Sequence, residues 1–351
     1  MLEEKAKVKL RQFIAETKAR KESRLPSERQ LAQMLKLSRI TISKALAQLV
    51  GEGLLRRRQG SGTFIVETEK AAAEMGVGIG FRQIYWTGDG HLAKIMQGAS
   101  RFTGQNPVDI QIYDKINEQF EKPDDANRVL RDIKSGSIRG FIIATRMPLE
   151  IVGRLYKLVP LVVLNNIMGA GEVTCVSCDY FLAGFLATEF LIKKGHGRIG
   201  YVTNDFDHPE TAGTLSGYKA ALKAGGQECR PEWILETKAN KEVRRRRIEM
   251  FFAGQAMTAV YVRSDRLASD LMRILMEMGK KVPEDVSIVG TGNVSVGINP
   301  PVPLTTVDNR TADIAQLGME LLEKKMQGIT LERNIYILDP FIVEKESVSA
   351  R

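Results

Sequence analysis

The chain holds 351 residues, 43% hydrophobic and 26% charged, the balance of a soluble globular protein with a sizeable core and, by length, about two to three domains. No run of 18 or more apolar residues offers a membrane span, and the charged opening MLEEKAKVKLRQF lacks the apolar centre of an export signal, so a cytoplasmic chain is expected. Three cysteines and three scattered histidines (His91, His196, His208) are too few for a disulfide framework, a zinc site or a histidine-based catalytic centre, and no metal or cofactor is expected.

Charge is unevenly distributed. Lys and Arg number 51 against 42 Asp and Glu, a net of +9. Residues 1–68 carry 15 of the former and 7 of the latter, an excess of +8, while the remaining 283 residues are nearly neutral. A small basic module joined to a neutral body predicts that the module meets a polyanion and the body does something else.

A first helix is predicted over about residues 3–20, where Leu10, Phe13, Ile14 and Thr17 recur at helical spacing, followed by a turn at Lys21 to Arg24. Ser27, behind Pro26, caps a second helix. Gln30 completes its capping box, and Leu31, Met34 and Leu35 form its apolar stripe. A short link at Lys36-Leu37 leads to Ser38, another cap, and a third helix running to about Glu52. Its buried face is Ile42, Ala45, Leu46 and Leu49, which turns Arg39, Ile40, Thr41, Ser43 and Lys44 outward. Two helices so closely joined make a helix-turn-helix, whose second helix presents its N-terminal residues to base edges in a major groove. After Gly53, β-prone runs at 54–58 and 63–66 flank Gln59-Gly60-Ser61-Gly62, whose glycines permit the tight turn of a hairpin or wing. Arg56, Arg57 and Arg58 give that wing a basic edge suited to phosphates or a minor groove.

Residues 25–65, LPSERQLAQMLKLSRITISKALAQLVGEGLLRRRQGSGTFI, closely resemble the winged helix-turn-helix of GntR-type transcription regulators. The resemblance implies DNA contacts from Arg29, Ser38, Arg39, Thr41, Ser43, Lys44, Gln59 and Gly60, to which the wing adds Arg57 and Arg58. Arg39 is the expected principal base reader, since arginine pairs bidentately with guanine O6 and N7. Many relatives of this type carry Arg where Ser43 stands, which shifts the expected discrimination toward Lys44 or toward a different operator base.

From Met75 onward the pattern alternates. Apolar runs at about 77–81, 141–146, 161–166, 198–203, 258–263 and 285–290 are separated by helical stretches such as 91–102, 124–135, 182–194 and 264–279. This spacing predicts parallel sheets with helices on both faces, and about 275 residues are more than one compact sheet unit holds, so two are expected. Three segments, VSCDYFLAGFLATEFLIKKGHGRIGYV (176–202), GTLSGYKAALKAGG (213–226) and the stretch 282–322 beginning VPEDVSIVG, resemble the ligand-binding body of LacI/GalR-type repressors, which is related to periplasmic sugar-binding proteins. The resemblance implies two Rossmann-like lobes, crossed three times by the chain and closing on a small molecule. A GntR-like module fused to such a body has precedent in arabinose-type repressors.

The expected fold is therefore α/β: a winged helix-turn-helix over 1–68, a linker over 69–75, and a two-lobed, periplasmic-binding-protein-like effector-binding and dimerisation body over 76–351. Ligands of parallel sheets bind beyond the carboxyl ends of the strands and between lobes. Those strand ends place Gln83, Tyr85, Trp86, Arg146, Asn165, Phe206, Asp265 and Asn293 around the cleft. In sugar-responsive relatives an Arg usually stands at the position of Thr214 and an Asp follows the strand ending at Gly290, where this chain has Thr291-Gly292-Asn293. An amide at Asn165 likewise replaces a carboxylate. Fewer charged groups remain to grip sugar hydroxyls, although Tyr85 or Trp86 can stack on a sugar face.

Other signals carry bland readings. Cys175 and Cys178 fit a C-x-x-C spacing, but in a strand i and i+3 point to opposite faces, so structural thiols are expected. Arg244–Arg247 reads as a solvated helix face, Gly76, Gly78 and Gly80 as the start of a strand, and Met272, Met276 and Met278 as core filler. No Walker A loop, nucleophile elbow or H-E-x-x-H is present, and no catalytic residue is assigned. The expected function is a sequence-specific regulator of transcription, by resemblance a repressor. It is expected to act as a homodimer on a near-palindromic double-stranded operator under control of a small-molecule effector. An activator, a ligand-independent regulator with a degenerate pocket, a transport receptor of the periplasmic type and an enzyme on a Rossmann-like body are the competing readings. The basic module and the missing export signal oppose the transport receptor, and the lack of a nucleophile–base pair opposes the enzyme.

Overall fold

The computed structural model describes residues 10, 13, 25–35, 37–51, 55–58, 62–65, 75–84, 90–104, 108–166, 172–238, 240–254, 257–295 and 298–351. The chain divides into two units, Met1–Glu74 and Met75–Arg351.

In the first unit, helix α1 (Glu28–Leu35) and helix α2 (Arg39–Gly51) precede strands β1 (Leu55–Arg58) and β2 (Gly62–Ile65), which pair antiparallel. Both caps form as the local sequence dictates. Ser27 N–H donates to Gln30 Oε1 at 2.9 Å, Gln30 N–H returns to Ser27 Oγ at 3.4 Å, and Thr41 N–H donates to Ser38 Oγ at 3.1 Å. Leu10, Leu25 and Leu31 bury against Ile42, Leu46 and Leu49 of α2, with Leu55 closing the core from the wing. Met34 departs from expectation and is 56% exposed. The packed arc of α1 runs from Leu31 through Leu35 to Ala32, and at 3.6 residues per turn Met34 lies about 60° beyond its other edge. Most of the predicted first helix (3–20), the turn at 21–24, Lys36, the tip of the wing at 59–61 and residues 66–74, with all of the expected linker (69–75) but Met75, lie outside the described residues; Met75 opens a strand.

The second unit opens with β3 (Met75–Gly80), α3 (Gly90–Thr103), β4 (Val108–Tyr113), α4 (Ile116–Phe120), α5 (Arg128–Lys134), β5 (Gly140–Ile143), α6 (Leu149–Tyr156), β6 (Leu161–Leu164) and β7 (Thr174–Cys178). It continues through α7 (Tyr180–Lys193), β8 (Ile199–Thr203), α8 (Pro209–Ala224), β9 (Ile234–Glu236), α9 (Lys241–Ala253), β10 (Ala259–Val262), α10 (Asp265–Glu277), β11 (Ser287–Thr291) and β12 (Thr305–Asp308). It ends with α11 (Thr311–Met326), β13 (Ile335–Leu338) and β14 (Phe341–Val343). One six-stranded sheet has the order β13-β7-β6-β5-β3-β4 and is parallel throughout. The other has the order β14-β12-β11-β10-β8-β9 and is parallel except for β14.

Each sheet is the floor of one lobe, and the chain passes between lobes three times. After β7 of the first sheet, α7 packs on the second through Ala183, Ala187 and Leu191. After β12 of the second sheet, α11 returns to the first through Ile314, Met319 and Leu322. The third passage joins β13 to β14. The central strands β5, β6, β8, β10 and β11 are fully buried, as parallel sheets covered on both faces require.

Helices α7 and α8 cross very closely. A Cβ on Gly217 would lie 2.0 Å from Phe181 O, and one on Gly184 2.0 Å from Thr214 O, so only glycine lets these backbones touch. Cys178 belongs to the same apolar core as Val77 and Ile79, and Cys175 to that of Phe141 and Leu161, on opposite faces of β7; both are free thiols. Arg245 bonds Glu249 and Glu277, Arg246 bonds Glu242, and Arg247 donates to backbone carbonyls, so these three arginines of α9 are engaged locally. Gly76, Gly78 and Gly80 lie within β3 itself. Met272 is buried and Met278 packs partly buried against the same core, but Met276, in the last turn of α10, is exposed. No helix among the described residues is long and apolar enough to cross a membrane.

Candidate functional site

Two places gather polar and charged groups suited to a partner. The first is the N-terminal turn of α2. Arg39 and Lys44 are exposed there, as is Arg29 on α1, and Ile40 is 73% exposed. Ser38 and Thr41 are already committed: Ser38 Oγ caps the helix, and the two hydroxyls lie 2.7 Å apart. Ser43 Oγ donates to Glu28 Oε1 at 3.3 Å, which binds α2 to α1 and turns that hydroxyl toward its own module. Arg57 and Arg58 lie on β1 opposite Thr63 and Gly62, whereas Gln59 and Gly60 fall outside the described residues.

The second place is a cavity of about 290 Å³ between the lobes. It lies beyond the carboxyl ends of β5, β6, β10 and β11, where neighbouring parallel strands lead away to different helices. Ala144, Thr145 and Arg146 follow β5 on one wall, with Asn165 and Asn166 after β6. Arg263 and Ser264 follow β10 on the other wall. The first turns of α3, α7, α8 and α11 bring in His91, Tyr180, Glu210 and Thr311, and Lys94 follows in the second turn of α3. Those helix starts direct the positive ends of their dipoles into the cavity.

Its ionic groups are mostly paired. Arg263 Nη1 donates to Glu210 Oε2 at 2.9 Å, and the Tyr180 hydroxyl donates to Glu210 Oε1 at 2.9 Å while standing 3.3 Å from Asn165 Oδ1. Burial, together with the Glu210 carboxylate, holds the Tyr180 phenol well above its usual range, so it remains a donor. Lys94 Nζ donates to Asp308 Oδ2 at 3.0 Å, and the Asn293 amide braces the same oxygen at 2.8 Å. Burial pushes the His208 imidazole below its ordinary 6.5, with Glu210 opposing and Arg263 assisting. His208 is thereby a neutral hydrogen-bonding group at pH 7.

Three buried atoms in the cavity wall have no hydrogen-bond partner among the described residues: Arg263 Nε, His208 Nδ1 and Asn309 Oδ1. Glu210 Oε2 stands 3.9 Å from His208 Nδ1, too far for such a bond. Buried polar atoms are nearly always satisfied, so three orphans in one wall mark a place shaped for something else to bond.

Of the residues expected around the cleft, the structure brings Arg146 and Asn165 together in the lining. Asp265 is a correction. It is 2% exposed, its Oδ1 accepts from the Thr306 hydroxyl at 2.6 Å and its Oδ2 from Val294 N–H at 2.8 Å. As the first residue of α10 it turns inward, into space that Gly290 leaves open: a Cβ there would sit 2.3 Å from Asp265 Oδ1. Asn293 lies behind the wall as a brace for Asp308, and Gln83 and Phe206 are solvent-exposed outside the lining, because the loops carrying them continue past the strand ends. Tyr85 and Trp86 are outside the described residues. Thr214 is buried under α8, 2.8 Å from the Tyr201 hydroxyl, and does not reach the cavity. Lys94, Tyr180, Glu210, Arg263 and Asn309 were not anticipated; a polar residue just after a β-run or at the start of the next helix was the available signal.

Residues 2–65 match the profile of the bacterial regulatory proteins, gntR family, and residues 188–348 match that of the periplasmic binding protein-like domain. The chain thus joins a segment similar to the gntR-family regulatory proteins to a body with the periplasmic-binding-protein-like fold. The profile match to the body begins within α7 and takes in the second lobe, the return crossing and β13, while the first lobe joins it through the shared architecture. The fold is that of the transcription regulator CcpA of Lactococcus lactis, with TM-score 0.63 and 24% identity over 78% of this chain and 98% of that one. In sequence the chain is 29% identical over 170 residues to the HTH-type transcriptional repressor PurR of Aliivibrio salmonicida, 47% of this chain and 50% of that protein. It is 29% identical over 168 residues to the ribose operon repressor of Haemophilus influenzae, 48% and 51% of the respective chains. The chain spans about half the length of these curated relatives.

Proposed function

We propose that this chain is a cytoplasmic repressor of transcription whose hold on operator DNA is set by a small molecule bound between the lobes of its body. One observation carries the reading: a single chain combines an exposed, basic helix start led by Arg39 with a cleft whose wall holds three buried polar atoms lacking partners. The names of the similar repressors support it. Phosphate contacts from the basic module supply most of the affinity, and Arg39 and Lys44 supply most of the discrimination. Two copies of the chain place their α2 helices in successive major grooves, so the operator is a near-palindrome with half-sites about one turn apart. In the cleft, Lys94 is matched to Asp308 and Arg263 to Glu210, an arrangement that favours holding a polar ligand over turning one over.

A duplex selected from a random-sequence pool, titrated with the full chain in a fluorescence-anisotropy assay at several salt concentrations, tests the reading. A steep loss of affinity with salt and a further loss in Arg39→Ala are expected. Salt-independent binding, or binding indifferent to Arg39, overturns it.

A further inference from the structure

We propose that the ligand of the cleft is an anionic polyol, with its carboxylate or phosphate at Arg146 and its hydroxyl end against Arg263, His208 and Asn309. The inference deepens the effector reading above and rests on it. The charge ledger of the cavity is the first argument. Lys94 is matched by Asp308 at 3.0 Å and Arg263 by Glu210 at 2.9 Å, pairs with side chains only 13–20% exposed. Arg146 has no carboxylate partner among the described residues; its guanidinium donates across the cleft to the Asp207 carbonyl at 3.3 Å. One cation is therefore left over in a cavity that also receives four helix N-termini, and an anionic group on the ligand answers both.

Shape supplies the second argument. The inner cavity of about 290 Å³ has room for one sugar-sized unit. A second cavity of about 880 Å³, walled by α4 and α6 of the first lobe, adjoins it, and the two share Arg146, Asn166 and Pro209. Arg146 thus stands at the junction, where the outer end of a molecule seated on the three unpartnered atoms arrives. The outer cavity carries an orphan of its own, the buried Asn117 Oδ1, so a ligand group reaching past Arg146 still meets a polar wall. The unpartnered inner atoms call for hydroxyls, which both donate and accept: Asn309 Oδ1 takes a hydrogen bond and Arg263 Nε–H gives one. The neutral His208 meets either need.

The test is a matched series offered to the full-length chain: glucose, gluconate and glucose 6-phosphate, with ribose, ribonate and ribose 5-phosphate beside them. Inorganic phosphate and sodium acetate serve as controls. Binding is read by calorimetry and by the shift of the melting midpoint. At least one anionic member should bind about 10- to 100-fold more tightly than its neutral parent, and which anion does so separates a carboxylate from a phosphate requirement. Arg146→Gln should erase that preference while leaving the midpoint of the free chain where it was, and Arg146→Lys should keep part of it. The proposal falls if neutral and anionic members bind alike, if no anionic member binds, if Arg146→Gln keeps the preference, or if inorganic phosphate binds as tightly as the sugar phosphates. Operator affinity that responds to a neutral sugar would remove this inference and leave the regulator standing. Operator affinity that responds to no small molecule in a wider metabolite screen would remove the effector reading itself.

Discussion

Asp265 and Asn309 make opposite predictions when cut back to alanine, and the sign of each follows from its hydrogen bonds. The Asp265 carboxylate is 2% exposed and accepts from the Thr306 hydroxyl at 2.6 Å and from Val294 N–H at 2.8 Å. Bonds to a charged group contribute about 1.5–3 kcal/mol each, and each buried donor left unpaired costs about 1–3 kcal/mol. Against this stands the cost of burying the carboxylate, which raises its pKa above the ordinary 3.8. A net loss of about 3 kcal/mol is expected for Asp265→Ala, which lowers the melting midpoint of the body by about 6–12 °C. Asn309 Oδ1 has no partner, so its removal from the unliganded chain relieves an unsatisfied acceptor. Asn309→Ala should therefore melt within about 2 °C of the parent, or slightly above it, and lose the stabilisation that a ligand confers. Both tryptophans, Trp86 and Trp233, belong to the body, so the intrinsic fluorescence of the full chain on heating follows that unit. An Asp265→Ala protein that melts with the parent, beside an Asn309→Ala protein that melts several degrees lower, would refute the assignment of one as scaffold and the other as ligand contact.

Three further outcomes are expected. Arg39→Ala should weaken operator binding about 5- to 150-fold, the cost of one bidentate base contact, and flatten discrimination at a single base pair in a mutated-operator series. Gly217→Val places new carbons where a Cβ already meets Phe181 O at 2.0 Å, so α7 and α8 must part. A loss of about 1–3 kcal/mol in chemical denaturation should accompany a loss of ligand response, because these helices carry Tyr180 and Glu210. His196 is buried between the Thr258 hydroxyl and the Ser349 carbonyl, each at 3.0 Å, and burial lowers its pKa below 6.5. The unfolded chain takes up the proton first, so stability present above about pH 6.5 is lost as pH falls toward the folded value. Melts at pH 7.5 and 5.5 should show a larger acid loss in the parent than in His196→Gln, and the reverse order would contradict the sign.

What the sequence revealed depended on how local the cause was. Ser27 with Gln30, and Ser38 before Arg39, announce helix starts because a cap is settled within four residues. Arg146 and Asn165 were placeable because a residue just past a buried strand of a parallel sheet has few places to go. Strand β4 went unnamed since VDIQIY, half-exposed on a sheet edge, alternates weakly beside the continuous apolar runs of the central strands. Lys94, Glu210 and Arg263 were harder still: each sits on a different element, and their pairings join residues 53 and 214 positions apart. Asp265 shows the converse failure. Its position after β10 was read correctly, but its direction depended on the missing side chain of Gly290, 25 residues later.

How a small molecule can act on such a body follows from where the lobes are joined. Bonds that cross the cleft among the described residues include Arg146 to the Asp207 carbonyl at 3.3 Å, Lys94 to Asp308 at 3.0 Å, and the Tyr180 hydroxyl standing 3.3 Å from Asn165 Oδ1. Two of these are long, and at the usual net worth of about 0.5–1.5 kcal/mol for the neutral bond and about 1.5–3 kcal/mol for those with a charged partner, so few bonds do not lock the lobes. The middle passage between lobes turns at Arg310, whose φ of 56° lies in the left-handed region, and the residue immediately before it is Asn309. A ligand hydroxyl bonded to Asn309 Oδ1 therefore acts at the pivot, where a small change in backbone direction moves a whole lobe. Its leverage is still bounded: a ligand shifts the lobes only by the difference between its affinities for their two arrangements. Couplings of about 1–3 kcal/mol are usual, which caps the change in operator affinity near 150-fold. That ceiling is set by how many of the three unpartnered atoms the ligand satisfies in one lobe arrangement and not in the other.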